Sequence, residues 1–329
     1  MLSLFKKPAA KVPTQARAAG SPPRPAAVVL LDPAHKSMLE RHADWLQKEP
    51  GGARADLSKS SLAGIHWAGV DLSRAIFRSS SWIESDLSGS ILAGVDLSYA
   101  NMPGVILSGA DLTGADLDHA RMDRCWLDAA NLSEIKATEA SFAGACFEKA
   151  RLPEASLQSC NLTELRGANV SLQHTRLFGC DLSRANLAEA VFYKARVQMC
   201  KFVGAVLTDA NLSQAMVVDC GFLQADLTGA RFQGADLSRS QFGRAFLDNC
   251  DLRDAKLNAC DLTRASFRGA RLGGVQWNGA DLRGANLRGA REMTPDSFGQ
   301  VRTDASTTLP NGTPGPYLRN SGAEKPIRA

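Results

Sequence analysis

The residues of this 329-residue chain that could do chemistry are its eight cysteines and five histidines. Seven cysteines, Cys125, Cys160, Cys180, Cys200, Cys220, Cys250 and Cys260, sit at positions whose numbers end in 0 or 5. Four of these, Cys160, Cys180, Cys200 and Cys220, are spaced by twenty. Thiols at a fixed spacing could form a metal ladder or a redox column. No CxxC pair is present, and the density is too low for a disulfide scaffold. His35, His42, His66, His119 and His174 are scattered, and no nucleophile elbow, P-loop, HExxH or dinucleotide fingerprint accompanies them. What these side chains can do depends on the backbone that places them.

That backbone is written in a five-residue repeat. Gly109 to Ala120 reads "GADLTGADLDHA". From Leu57 to Leu287 the residues ending in 2 or 7 form 47 centres: 29 Leu, nine Phe, three Trp, two Met, two Val, and only Ala137 and Gly167 small. Two places earlier, 39 of 47 positions are Ala, Cys, Ser or Thr. One large and one small inward residue, separated by an outward one, is strand alternation over three residues. The remaining two residues must turn the chain, and Ser or Thr followed by Gly is common there (Thr113-Gly114). A turn every five residues in one sense gives a square coil of twenty. Such coils stack as short parallel strands at ~4.8 Å, so just under twelve make a rod of roughly 56 Å.

The units "ADLTG", "ADLDH", "ANLAE" and "ADLSR" resemble those of the pentapeptide repeat proteins. The resemblance covers residues 55–290 and implies an all-β solenoid, a right-handed quadrilateral parallel β-helix of about twelve coils. Histidines 66, 119 and 174 then fall on different columns and do not assemble. The cysteines spaced by twenty stack along one inner wall. A straight column does not converge on a metal, and its parallel Cβ vectors do not suit disulfides. Cys is expected there as a slightly larger Ala. The two small centres look compensated: Ala137 follows Ile135 and Gly167 follows Leu165, so large and small exchange places at nearly constant volume. Those coils should be distorted but unbroken.

An open solenoid end would expose apolar core and strand edges. Residues 28–54 are expected to supply a cap and linker. Asp32-Pro33 starts a helix reaching Lys48, with Met38, Leu39, His42, Trp45 and Leu46 as its apolar stripe and Trp45 as a plug. At the other end, 291–310 forms a short cap, with a helix from Thr294-Pro295-Asp296 and Met293, Phe298 and Val301 available to cover the last coil. Residues 1–27, carrying Lys6, Lys7, Lys11, Arg17 and Arg24, read as a disordered basic tail, and 311–329 as a second disordered tail.

Function is expected on the outside. Ile106, Trp126 and Cys146 fall in one outward column where Asp or Asn is the norm, a candidate partner surface. Phe178, Tyr193, Val203, Val206, Met216, Val218 and Leu223 form a second candidate region, its members spread over more than one face. Residues 55–164 hold 15 acidic and 8 basic side chains, whereas 165–290 hold 11 and 16, which makes the rod a dipole. The expected function is a non-enzymatic protein–protein interaction rod or scaffold that binds an unidentified protein. No metal, cofactor, small-molecule substrate or nucleic acid is expected as a partner.

The resemblance also implies two alternatives: a topoisomerase-binding DNA mimic, or a secreted bacterial effector. The first fits poorly, because the array carries 26 acidic against 24 basic residues. No run of about 18 apolar residues suggests a membrane span. The expected location is the bacterial cytoplasm, with export by a route lacking a cleaved signal left open.

Overall fold

The computed structural model describes residues 33–326. The chain starts with helix α1 (Pro33–Gln47), then climbs a parallel β-solenoid, then ends in a segment that includes helix α2 (Pro295–Phe298). The N-cap expected at Asp32 and the basic tail 1–27 lie outside the described residues.

Four ladders of parallel bridges, each at a step of twenty, define four walls. Wall 1 rises through Asp56, Ile76, Asp96 and Asp116, and wall 2 through Ser61, Ser81, Asn101 and Arg121. Wall 3 rises through His66, Asp86, Ile106 and Trp126, and wall 4 through Asp71, Ile91, Asp111 and Asn131. Wall 1 contains the strands β1 (Lys136–Thr138), β2 (Ser156–Gln158), β3 (Arg176–Phe178), β4 (Arg196–Gln198) and β5 (Met216–Val218), parallel and adjacent in that order. Each rung is held by reciprocal backbone bonds such as Leu97 N to Asp116 O, 2.8 Å, and Asp116 N to Val95 O, 2.9 Å.

The corners explain the rest of the five-residue unit. The centre's carbonyl accepts the N–H three residues on, as in Ala100 N to Leu97 O, 3.0 Å. The residue before that N–H lies at positive φ: +65° at Gly114, but also +60° at Tyr99 and +53° at Ala129. Glycine is therefore one solution to a left-handed corner that many L-residues also occupy here. The recurrent Asp has a structural task as well. Its Oδ1 accepts the backbone N–H two residues on, as Asp71 does from Ser73 at 2.9 Å and Asp111 from Thr113 at 3.0 Å. The acidic repeat is thus spent on turn formation.

Inside, the large centres fill the coil. Phe202, Phe222 and Phe242 stack face to face at 4.7 and 4.8 Å, the spacing of the rungs that carry them. The exchange at the two small centres is seen directly. Leu165 is buried, and a Cβ added to Gly167 would lie 3.4 Å from its Cδ2 and 3.1 Å from that of Leu187. Bridges continue through both levels, from Asp116 to Lys136 and from Cys146 to Arg166 to Asn186.

Both ends are covered. In α1 the stripe divides: Met38 and Leu39 pack on the core, His42 is fully buried, and Trp45 and Leu46 are half-buried. The plug is therefore His42 rather than Trp45. Trp45 lies against the returning chain at Gly52, where a Cβ would meet its backbone N at 2.4 Å. At the far end Met293 and Phe298 are buried and Val301 packs on the core. The ladder resumes beyond α2 with the bridges Asp281 to Arg302 and Asn286 to Thr308. The segment 311–326, expected to be disordered, instead folds back. Tyr317 stacks on Phe298 at 4.2 Å, Ala323 is buried, and Thr308 bridges Pro314.

Candidate interaction surface

All eight cysteines are free and buried. Within the column, Cys160 donates to Ala137 O at 3.2 Å and Cys180 to Leu157 O at 3.5 Å, both one coil earlier, and Cys200 donates to Gln198 O of its own coil at 3.3 Å. Burial pushes the Cys125 and Cys260 thiols up to about 12. The neighbouring Cys180 thiol, together with burial, raises Cys160 and Cys200 as well. Such thiols are poor nucleophiles and poor metal ligands. No group of three or more His, Cys, Asp or Glu among the described residues is placed to hold a metal ion. The internal void between Phe147 and Leu182 is about 10 Å³, too small for any ligand.

On the outside, Ile106, Trp126 and Cys146 are consecutive members of the wall 3 ladder. Their exposure differs from expectation. Ile106 is 8% exposed and Cys146 only 2%, while Trp126 is half-buried. Arg166, two rungs beyond Trp126, reaches back along the column, its guanidinium 4.7 Å from the centre of the indole. For side chains two rungs apart to meet, both must lean over the intervening Cys146. The pair presents a tryptophan–arginine cation–π surface with an apolar floor.

The second candidate region does not assemble. Phe178, Met216 and Val218 lie on wall 1, Val203 and Leu223 on wall 2, Val206 on wall 3, and Tyr193 on wall 4. Phe178 and Leu223 are exposed, but Val218 is buried and the others are half-buried. Six exposed large apolar side chains among the described residues lie outside both candidate regions, Ile83, Ile91, Tyr99, Met199, Phe246 and Leu318, and of these Tyr99 is 57% and Met199 59% exposed. Tyr99 and Met199 are both corner residues following wall 1, and their position at numbers ending in 9 was the available signal. Wall 1 also bears a shallow concavity lined by Glu154, His174, Arg176, Lys194 and Arg196.

The five-residue geometry matches known sequences. Residues 53–171 and 235–291 match the description "Pentapeptide repeats (8 copies)", and 175–249 match "Pentapeptide repeat region". The chain belongs to the pentapeptide repeat family. Among solved pentapeptide repeat proteins, it is similar to HetL from the cyanobacterium Nostoc sp. strain PCC 7120, involved in heterocyst differentiation regulation. The identity is 26%, covering 83% of this chain and 97% of that one, with a TM-score of 0.29. A pentapeptide repeat protein of the Arabidopsis thaliana thylakoid lumen is 26% identical over 30% of this chain and 68% of its own, TM-score 0.29. QnrB1, a plasmid-mediated fluoroquinolone resistance protein, is 20% identical over 69% of this chain and 89% of its own, TM-score 0.32. No curated protein sequence matches the chain. Among the described residues of this pentapeptide repeat protein, no helix is long and apolar enough to cross a membrane.

Proposed function

We propose that this chain is a non-enzymatic protein-interaction rod whose partner-facing anchor is the wall 3 column centred on Trp126. The observation that carries the reading is the Trp126–Arg166 contact at 4.7 Å. The cysteines are sealed among core residues, and the repeated Asp side chains are engaged by their own turns, so neither supplies chemistry. Trp126 and Arg166 serve neither core nor turn. Tryptophan and arginine are the residue types that dominate binding energy at protein interfaces, particularly where a flat apolar floor excludes water. Ile106 and Cys146 provide such a floor.

The test is affinity capture with the full chain as bait, comparing wild type with Trp126→Asp and with Ile91→Asp on wall 4. Loss of a captured protein in the first variant alone supports the wall 3 surface. Identical capture by all three baits overturns it.

A further inference from the structure

We infer that wall 1 is a self-complementary surface on which two copies of this chain lie side by side and antiparallel. The inference goes beyond the Trp126 reading, because wall 1 is the wall opposite wall 3 and uses none of its residues.

The first observation is a charge conflict. Arg176 and Arg196 are register partners on adjacent strands β3 and β4, both exposed. Neither makes an ion pair with a described residue, unlike Arg184, Arg239 and Arg268 elsewhere on the rod. Like charges directly opposite one another destabilise a sheet. Lys194, over the Tyr193 ring at 5.1 Å, adds a third positive charge beside them, against the single negative charge of Glu154 in the same concavity. Lower on the same wall, Asp96 and Asp116 are adjacent rungs of the same ladder; Asp116 has no ion pair with a described residue, whereas Asp96 shares its Oδ2 with Arg78 of the same wall at 2.9 Å. Wall 1 therefore carries an acidic stretch and a basic stretch in line, as the whole rod does.

The second observation is the spacing. The level midway between Asp116 and Arg176 lies between the rungs of Lys136 and Ser156, and so does the level midway between Asp96 and Arg196. A two-fold axis at that level, running along the strand direction, sets Asp116 against the partner's Arg176 and Asp96 against the partner's Arg196. Symmetry repeats both pairs, giving four. The same axis sets half-buried Ile76 against the partner's Met216. It also sets Tyr99 against the partner's Met199, at 57% and 59% among the most exposed large apolar side chains of the rod. Sulfur–aromatic contact is favourable. His119 faces the partner's Gly179, and His174 faces the partner's Gly114, so bulky corners meet bare ones. Asp118 falls opposite the partner's Phe178, but its Oδ1 is already engaged by the Thr138 N–H at 2.7 Å.

A second copy is preferred over an unrelated acidic partner because one operation brings charge, apolar and steric matches together, although it also sets the exposed Glu134 against the partner's Glu154. End-to-end association would also use the dipole, but α1 and the C-terminal segment cover both ends. Eight rungs of ~4.8 Å and a wall ~12 Å wide give about 500 Å² per copy. That is about 1,000 Å² in total, the low end for a specific interface. The dimer should be weak, reversible and salt-sensitive, since its ion pairs stay near solvent.

Sedimentation velocity on the full chain decides the matter, at about 100 µM protein and at roughly 0.05 M and 0.5 M salt. The expected result is a dimer at low salt that dissociates at high salt. Arg176→Asp/Arg196→Asp and Asp96→Arg/Asp116→Arg should each be monomeric, with at least tenfold weaker association. An equimolar mixture of the two should recover the dimer, because all four cross-pairs are then attractive. Met199→Glu, at an exposed corner, gives a disruption that leaves the turn-forming Asp residues intact, and circular dichroism checks that each variant is folded. A wild type that stays monomeric at low salt overturns the proposal. So does a dimer that survives Arg176→Asp/Arg196→Asp, or a mixture that fails to re-associate. The Trp126→Asp variant should dimerise normally, so this proposal and the wall 3 reading fail independently.

Discussion

The imidazole Nδ1 of His42 accepts the backbone N–H of Ala55 at 3.1 Å, joining the capping helix to the first repeat. The ring is fully buried, and burial lowers its pKa below the ordinary histidine value, against an opposing pull from Asp71. A group with a depressed folded pKa favours the folded state above its unfolded pKa of about 6.5 and loses that contribution as pH falls through the folded value. Protonation also removes the acceptor that Ala55 needs. The cap should therefore loosen first on mild acidification. Thermal unfolding at pH 7.5 and pH about 5 should show an earlier onset at the lower pH. His42→Leu should show that early onset at both, because the buried N–H of Ala55 is then orphaned at a cost of about 1–3 kcal/mol. An onset that ignores both pH and the substitution would mean that the histidine does not hold the cap.

The buried thiols work at the other end of the pH scale. Cys125 and Cys260 are raised from 9.0 to about 12, so the folded chain keeps protons that the unfolded chain releases. Stability is unaffected below pH 9 and falls above it, by about 1.4 kcal/mol per pH unit for each such thiol, until the folded pKa is reached. Urea midpoints measured at pH 8 and 10.5 should diverge. Cys125→Ala should narrow the gap by about 2 kcal/mol. An unchanged gap would show that this thiol titrates normally.

The corner geometry predicts substitutions of opposite sign at equivalent positions. Ala129 occupies the left-handed corner at φ +53°, and Gly114 occupies it at +65°. A Cβ there costs roughly 1–2 kcal/mol in local sterics, partly offset by the greater freedom of glycine in the unfolded chain. Ala129→Gly should stabilise by about 0.5–1 kcal/mol. Gly114→Ala should destabilise by a similar amount, although a Cβ there meets no atom within 4 Å. Denaturant midpoints of the two variants, moving apart around wild type, are the readout.

The solenoid was legible because its signal is redundant: each centre repeats the same instruction, and slips such as Ala137 carry their compensation two residues away at Ile135. The column containing Ile106, Trp126 and Cys146 was legible as a column for the same reason. Its exposure was not: Arg166 reaches back two rungs to Trp126, and periodicity does not record the direction of a long side chain. The segment 311–326 was misread for a related reason. Its Pro, Gly and Asn content argues against a core of its own, and its order comes from Tyr317 docking on Phe298, a contact between segments that a local composition cannot reveal. Lying on four walls, the second candidate region shows the converse: residues near in sequence are dispersed by a coil that turns every five.

The charge balance bears on the alternative reading as a DNA mimic. Duplex DNA presents a dense, uniform negative charge, and a protein that competes with it needs the same field. With 26 acidic and 24 basic side chains from 55 to 290, and with Arg176 and Arg196 unpaired on wall 1, this rod presents no such field. Equimolar rod should leave DNA gyrase supercoiling unchanged. Inhibition at that ratio would restore the topoisomerase reading.

The exchange of Leu165 and Gly167 provides the sharpest test of how the core is filled. Leu165 lies at a small position but projects into the volume that a centre at 167 would fill, reaching within 3.4 Å of where a Cβ on Gly167 would stand. Leu165→Ala should open a cavity and cost about 3–5 kcal/mol. Gly167→Leu alone should overpack against Leu165 and Leu187 and cost about 1–3 kcal/mol. Together the two substitutions restore the small-then-large order used along the rest of the rod. The double variant should therefore be far more stable than the sum of the single losses predicts, with a coupling of at least ~2 kcal/mol. Additive losses in denaturant unfolding would mean that the two residues fill separate spaces and that the repeat tolerates the inversion by some other adjustment.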